Sequence, residues 1–291
     1  MKRFLSLIVA TMVVLGGCAN QKMEPPKPHK PTPNPSEQLP EQGEGEYDVY
    51  LLIGQSNMAG RGTMIAGDEN PIEGVYILDT EGNVVPATSP LNQYSTIRKE
   101  MKHQQINPGV GFSKKVYAAT GRKILLVVNA RGGSNINEWA KGKATTFDYT
   151  DAAGVKSSVS LSFYAEAVRR TKQAQAYGEL KGILWHQGES NSSNPSGYMD
   201  KLKALMSGLR SELNAPTVPF IAGEIAPWHS NRDKFNPIIH TITTEIPYSD
   251  WVSSEGCDML INESDPHFGR NGQLLIGERY AEKILKMVYG K

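Results

Sequence analysis

The 291 residues are 39% hydrophobic and 21% charged, a balance that suits one globular domain with a sizeable core. The formal net charge is +1, and only −1 once Lys2 and Arg3 of the leader are set aside, so the basic face that a nucleic-acid partner requires is not expected. The apolar run from Phe4 to Leu15 falls short of the roughly 20 residues that a membrane-spanning helix needs.

That run has the makings of an export signal instead. Lys2 and Arg3 precede it, and the small residues Gly16 and Gly17 follow it before Cys18. Leu15-Gly16-Gly17-Cys18 resembles the lipobox of bacterial lipoproteins, which implies cleavage after residue 17 and acylation of Cys18. Acyl chains contribute about 0.8 kcal/mol per buried methylene, enough for several on one cysteine to anchor the chain stably. Ala19 permits sorting to the outer membrane by the same resemblance, so the expected location is an anchored lipoprotein, outer membrane or cell surface. With Cys18 acylated, Cys257 has no disulfide partner and is expected to be a buried, inert thiol.

Residues 18–46 read as a tether. Seven of the 18 prolines fall between Pro25 and Pro40, with few apolar residues among them. Such a segment cannot bury enough surface to fold and favours extended polyproline II.

From Tyr47 to Lys291, strand and helix signals alternate. Asp48 to Ile53 reads as a buried strand, broken by Gly54, with Gln55-Ser56-Asn57-Met58 on a tight turn. Residues 74–79 and 83–85 flank Glu81-Gly82 as a hairpin. Polar residues up to Asn107 suggest surface loops, and Gly111 to Thr120 a short helix ended by Gly121. Lys123 to Asn129 is a buried strand. Ser160 to Tyr177 carries Leu161, Tyr164, Ala165 and Val168 at helical spacing. Gly182 to His186 (strand), Tyr198 to Leu213 (helix), Pro219 to Gly223 (strand), a helix around Ile238 to Ile246, Asp250 to Ser253 (strand) and Gly272 to Val288 (helix) complete the chain. This alternation implies an α/β fold, a three-layer α/β/α sandwich on a mostly parallel sheet.

Four chemistry-bearing segments follow these strands or precede the last helix: Gly54-Gln55-Ser56-Asn57-Met58, Ala130-Arg131-Gly132-Gly133-Ser134, Trp185-His186-Gln187-Gly188-Glu189-Ser190-Asn191, and Asp265-Pro266-His267-Phe268. In a parallel sheet the carboxyl ends of the strands share one edge, so all four can meet in one crevice. In this order they resemble the sialate O-acetylesterase-like SGNH hydrolases, a group that includes the acetylxylan esterases of carbohydrate esterase family six. The resemblance spans roughly residues 47–288 and implies a flavodoxin-like sheet and metal-free serine esterase chemistry with no cofactor.

Carried onto this chain, the resemblance makes Ser56 the nucleophile, His267 the general base and Asp265 the group that orients His267. The family pattern places the aspartate three residues before the histidine, where this chain has Ser264; Glu263 or a backbone carbonyl are the other candidates for orienting the ring. The implied oxyanion donors are the N–H of Ser56, the N–H of Gly133 or its neighbour Gly132, and the side-chain amide of Gln187. Gln55, Asn57, Glu189 and Arg131 flank these groups and are the expected substrate contacts, although Glu189 and Arg131 read better as braces for their own loops. His186 at a strand end suits a structural role or a substrate contact. Trp139 and Trp228 are the tryptophans placed to stack on a sugar. The implied substrate is an acetylated carbohydrate, of the xylan or sialic acid type. A non-catalytic glycan-binding lipoprotein on the same fold and a short-chain lipid esterase are the alternatives.

Overall fold

A computed structural model describes residues 46–150 and 154–291. The expected signal peptide, Cys18 and tether therefore lie outside the described residues.

The chain opens with strand β1 (Tyr47–Gly54), the one-turn helix α1 (Ser56–Ala59), β2 (Val75–Leu78), β3 (Val84–Pro86), helix α2 (Pro108–Thr120) and β4 (Ile124–Ala130). Next come β5 (Thr145–Thr150), β6 (Lys156–Leu161), α3 (Phe163–Gln175), β7 (Gly178–His186) and α4 (Tyr198–Glu212). The last third holds β8 (Phe220–Gly223), α5 (Arg232–His240), α6 (Ile242–Glu245), β9 (Ser249–Val252) and α7 (Arg270–Tyr289). Seven strands form one sheet in the order β3-β2-β4-β1-β7-β8-β9, in which only β3 runs antiparallel.

Strand β1 shows why the sheet is covered on both sides. Val49, Leu51 and Ile53 project to one face and Tyr50 and Leu52 to the other, and all five are buried. The first set packs with Phe163 and Ala167 of α3, Leu202 and Leu209 of α4 and Ile239 of α5. The second packs with Val110 and Phe112 of α2 and with Ile276, Tyr280 and Ile284 of α7.

The topology fixes where chemistry can occur. Strand β1 lies between β4 and β7, so the chain winds to one side of it and then crosses to the other. The crevice beyond the carboxyl ends of these three strands is the topological switch point. Gly54 closes β1 at φ +139, and a Cβ there would lie 2.1 Å from the carbonyl oxygen of His186. Only glycine lets the two strand ends approach so closely while the chain turns into Ser56. Gly54→Ala is expected to destabilise the domain by about 2–4 kcal/mol, read as a lower denaturant midpoint; an unchanged midpoint would show that the strand ends can part without cost.

Several expected boundaries shift, each for a local reason. Helix α2 begins at Pro108 rather than Gly111, because the Asn107 side chain accepts from Gly109 N and proline fits the first helical position. The helix expected from Ser160 begins only at Phe163, since Ser162 caps it and Ser160 and Leu161 belong to β6. Strand β7 starts four residues before Gly182, with an irregularity opposite Val49 and Tyr50. The helix around Ile238 to Ile246 is two, α5 and α6, joined at Thr241. The β5–β6 hairpin was not expected. Its inner side chains, Phe147, Tyr149, Val159 and Leu161, alternate with polar ones, and pack on the same core as α3.

Candidate active site

Ser56 stands one residue past β1. Gln55 N donates to His186 O at 2.8 Å, carrying the β1–β7 pairing one step further before the chain turns into α1. As the first residue of that turn, Ser56 has an N–H with no intrahelical acceptor. The residue is 5% exposed, and its hydroxyl hydrogen-bonds no other described residue. A hydroxyl at the surface of the crevice without a structural partner is available for chemistry.

The loop after β4 turns its bare face to that serine. Arg131 N donates to Gly54 O (3.0 Å) and Ser134 N to Arg131 O (3.2 Å), closing a turn over Gly132 and Gly133. The N–H groups of both glycines are unpaired among the described residues. A Cβ on Gly132 would lie 3.6 Å from Ser56 Cβ and 2.5 Å from Arg61 Nη2, so the absent side chain is what admits the guanidinium here.

His267 comes from a pinned loop. Leu260 N donates to His267 O and Gly269 N to Asp258 O, a short antiparallel arrangement that leads into α7. His267 Nδ1 meets Asp265 Oδ1 at 2.5 Å, and the same oxygen accepts from His267 N at 3.0 Å. Trp228 Nε1 donates to Asp265 O at 2.7 Å. Asp265 is therefore the group against the imidazole. An aspartate two residues before the histidine reaches it because its carboxylate grips ring and backbone together. With Nδ1–H given to Asp265, Nε2 is left to serve as a base.

Asn57 ties this loop to the serine turn. Its Nδ2 donates to Pro266 O (3.2 Å) and to Glu189 Oε1 (2.7 Å), and its Oδ1 accepts from Phe268 N (3.1 Å) and Gln273 Nε2 (3.2 Å). The residue after Ser56 thus holds both neighbours of His267. Arg61 makes the link a second way: its guanidinium lies against Gly132 and feels the charge of Asp265.

Several expected roles change once this geometry is known. Asn57 and Gln187 are wholly buried, and Gln55 gives its Oε1 to Gln187 Nε2 and Ser190 N, so all three hold the site together. Gln187 Nε2 is committed to Gln55 Oε1, Ser134 O and Asn191 Oδ1, while its Oε1 accepts from Tyr198. An amide so occupied has no N–H left for an oxyanion, and Gln187 instead locks three loops together. Asn191 on the same loop was not singled out by the sequence. Its Oδ1 is fixed by Gln187 and by Ile136 N, and its Nδ2 is bound to no described residue. Glu189 is a brace for Asn57 with a buried side chain. Arg131 braces too, donating to Ile97 O and Arg98 O with its guanidinium 3.9 Å from the centre of the Phe147 ring. Trp139 is buried with Nε1 on Ser134 Oγ and cannot stack on a sugar. His186 is buried against Phe268 and Tyr280, which leaves it the structural role. Cys257 is buried as expected, its thiol pushed up to about 12 by desolvation.

Burial tunes the titrating groups. Desolvation drives His186 down to about 3 and raises Glu189 to about 7, so in mildly acidic solution both are neutral. His267 is also lowered, chiefly by desolvation and further by Arg61 and Lys99, against the opposing pull of Asp265. A lowered imidazole stays unprotonated, and so competent as a base, below the ordinary value of about 6.5. The acid limb of kcat/KM is accordingly expected below that value; a limb centred above it would contradict the lowered base.

A hydroxyl, an Asp–His pair and unpaired N–H groups on one carboxyl edge define the ester-hydrolase class of α/β site. The family model described as "Carbohydrate esterase, sialic acid-specific acetylesterase" matches residues 46–286, and the chain belongs to that family. A probable carbohydrate esterase of Arabidopsis thaliana is 25% identical over 256 residues, which are 81% of this chain and 90% of that protein. The X-ray structure of the Arabidopsis protein superposes with a TM-score of 0.68 at 24% identity, over 83% of this chain and 98% of the other. A carbohydrate acetylesterase of Xanthomonas citri superposes with a TM-score of 0.55 at 19% identity, over 84% of this chain and 57% of its own. At these identities the two structures speak for the fold.

Proposed function

We propose that this protein is a carbohydrate O-acetylesterase working through an acetyl-serine intermediate. Ser56 Oγ attacks the acetyl carbonyl as His267 Nε2 takes its proton, and Asp265 holds the ring and balances the imidazolium. The charge that develops on the carbonyl oxygen meets the N–H groups of Ser56 and of Gly132 or Gly133. Collapse releases the sugar hydroxyl, which recovers the proton from His267. A water deprotonated by His267 then attacks the acetyl-serine, and acetate leaves with Ser56 restored. The observation that carries this reading is the Asn57 tie, which binds the flanks of an Asp265-oriented His267 to the residue after an unpartnered serine.

Ser56 and His267 make no direct hydrogen bond with each other in the structure, and a contact of this kind tightens as substrate binds. Acetate release measured over acetylated xylan, mannan, pectin and a sialoside tests the reading. Turnover of at least one is expected, and release from none of them, or from simple acetyl esters, would refute it.

We also infer that Cys18 is acylated and that residues 18–46 tether the domain to a membrane. The leader residues and the proline-rich run support this. Labelled fatty acid should enter the wild-type protein and not Cys18→Ser; equal labelling of both would refute the anchor.

A further inference from the structure

Two buried polar atoms next to the Asn57 tie are left without partners: His186 Nε2 and Glu189 Oε2 are both enclosed, and neither makes a hydrogen bond. The other side of the imidazole shows where its hydrogen lies. Tyr280 OH donates to Trp185 O at 2.8 Å, and with its one hydrogen spent it can only accept from His186 Nδ1, 3.1 Å away. The hydrogen of neutral His186 therefore sits on Nδ1, and Nε2 presents a bare lone pair. Glu189 Oε1 lies 3.9 Å from that lone pair and already accepts from Asn57 Nδ2 at 2.7 Å. A carboxylate would set lone pair against lone pair here, whereas a carboxylic acid supplies the missing donor. The titratable side chains that act on Glu189 are His186 of β7, Tyr198 of α4 and Tyr280 of α7, and across Asn57 lie Asp265 and His267 on either side of Pro266. No lysine or arginine among the described residues acts on it. The N–H groups of Gly188 and Glu189 and the Asn57 amide favour its charge, but burial outweighs them and pushes it up to about 7.

Resting on the esterase reading given above, we propose that Glu189 is a positioning residue that works as a neutral acid. It gives its proton to His186 Nε2, holds Asn57 through Oε1, and keeps the His267 loop in place only while it stays protonated. A turn of the carboxyl about its soft terminal torsion closes the 3.9 Å gap. Loss of the proton has two outcomes in this packing. Either a buried charge stays beside the bare Nε2, or His186 moves its hydrogen to Nε2 and Tyr280 must turn from Trp185 O to serve Nδ1. Both disturb the end of β7, the strand that leads into Gln187. A negative charge behind Asn57 also opposes the oxyanion that forms at Ser56. Activity therefore falls on the alkaline side as Glu189 ionises. The effect on stability has the same sign. Between the ordinary carboxylate range and about 7, the folded chain keeps a proton that the unfolded chain has lost, so stability declines as pH rises through that window.

The test uses the full chain with isotopic labels at the glutamate carboxyls and the histidine ring nitrogens, read by NMR across a pH series. The Glu189 signal is identified by its loss in Glu189→Gln. The Glu189 carboxyl is expected to titrate near 7, with the His186 hydrogen on Nδ1 below that point. Titration in the ordinary range around 4.3, or a His186 hydrogen on Nε2 throughout, overturns the proposal. On a simple acetyl ester, kcat of the unaltered protein should drop by about tenfold above the Glu189 midpoint, the scale of a modest misplacement. Glu189→Gln keeps an acceptor for Asn57 Nδ2 and offers an N–H to His186 Nε2. It should hold its kcat across the same range, and its denaturant midpoint should no longer decline there. An alkaline limb that survives Glu189→Gln overturns the proposal and leaves the esterase reading standing. Hydrolysis of no ester, with Glu189 titrating near 7, refutes the esterase reading and leaves the protonated Glu189–His186 pair in place.

Discussion

Ser56→Ala is expected to lower kcat/KM for an acetyl ester by at least about 10⁴-fold while leaving the unfolding transition nearly where it was. The two halves of that expectation have separate causes. The hydroxyl hydrogen-bonds no described residue, so its removal leaves no buried group unsatisfied and opens no large cavity. Its loss does remove the atom that must bond to the acetyl carbon. Neither carboxylate beside it can take its place: Asp265 is spent on His267, and Glu189 is buried behind Asn57. Turnover retained in a folded Ser56→Ala protein would mean that ester cleavage runs through an activated water or another group.

Asn57→Ala should do a smaller but still large damage by a different route. Each of its two polar side-chain atoms makes two hydrogen bonds, and the residue is wholly buried. Truncation would leave Phe268 N and Gln273 Nε2 without a partner in the interior and free Glu189 Oε1 and Pro266 O, costing about 3–5 kcal/mol of stability. It would also release the His267 loop from the serine turn, and a misplacement of about 1 Å can cost about 10²-fold in rate. Glu189 separates the positional effect from simple loss of packing. Glu189→Gln keeps an oxygen for Asn57 Nδ2 at nearly the same volume and should retain most of kcat. Glu189→Ala should lose it, with kcat falling more than KM rises. Equal damage from both variants would assign Glu189 a role in its charge rather than its grip.

How much of this was legible in the sequence depends on the kind of interaction. The strands around the site were readable because a parallel strand buried on both faces is a nearly unbroken apolar run, as Lys123 to Asn129 shows. Ser56, Asp265 and His267 were singled out by resemblance rather than by pattern, and the structure sets Asp265 against His267 and ties both neighbours of His267 to Asn57. The β5–β6 hairpin escaped because Lys156-Ser157-Ser158-Val159-Ser160-Leu161 is half exposed and carries a weak apolar signal, and its last residues blended into the helix that follows. Gln187 was misassigned for a deeper reason. A side-chain amide after a strand has the right chemistry for an oxyanion, and only three-dimensional contacts show that both its hydrogens are taken. Arg61 and Lys99 sit in stretches with no periodic pattern, and their proximity to Gly132 and Gly133 comes from loop paths that local sequence does not encode.

The most direct measurement is covalent capture of the nucleophile. A reactive phosphonate ester, which bonds to an activated serine and stays there, should give one adduct, mapped by peptide mass spectrometry to Ser56. Its rate should drop by at least about 10²-fold in His267→Ala, the scale of lost general-base assistance. An adduct on another residue, or labelling of Ser56 at an undiminished rate without His267, would contradict the claim that these two side chains act as one catalytic unit.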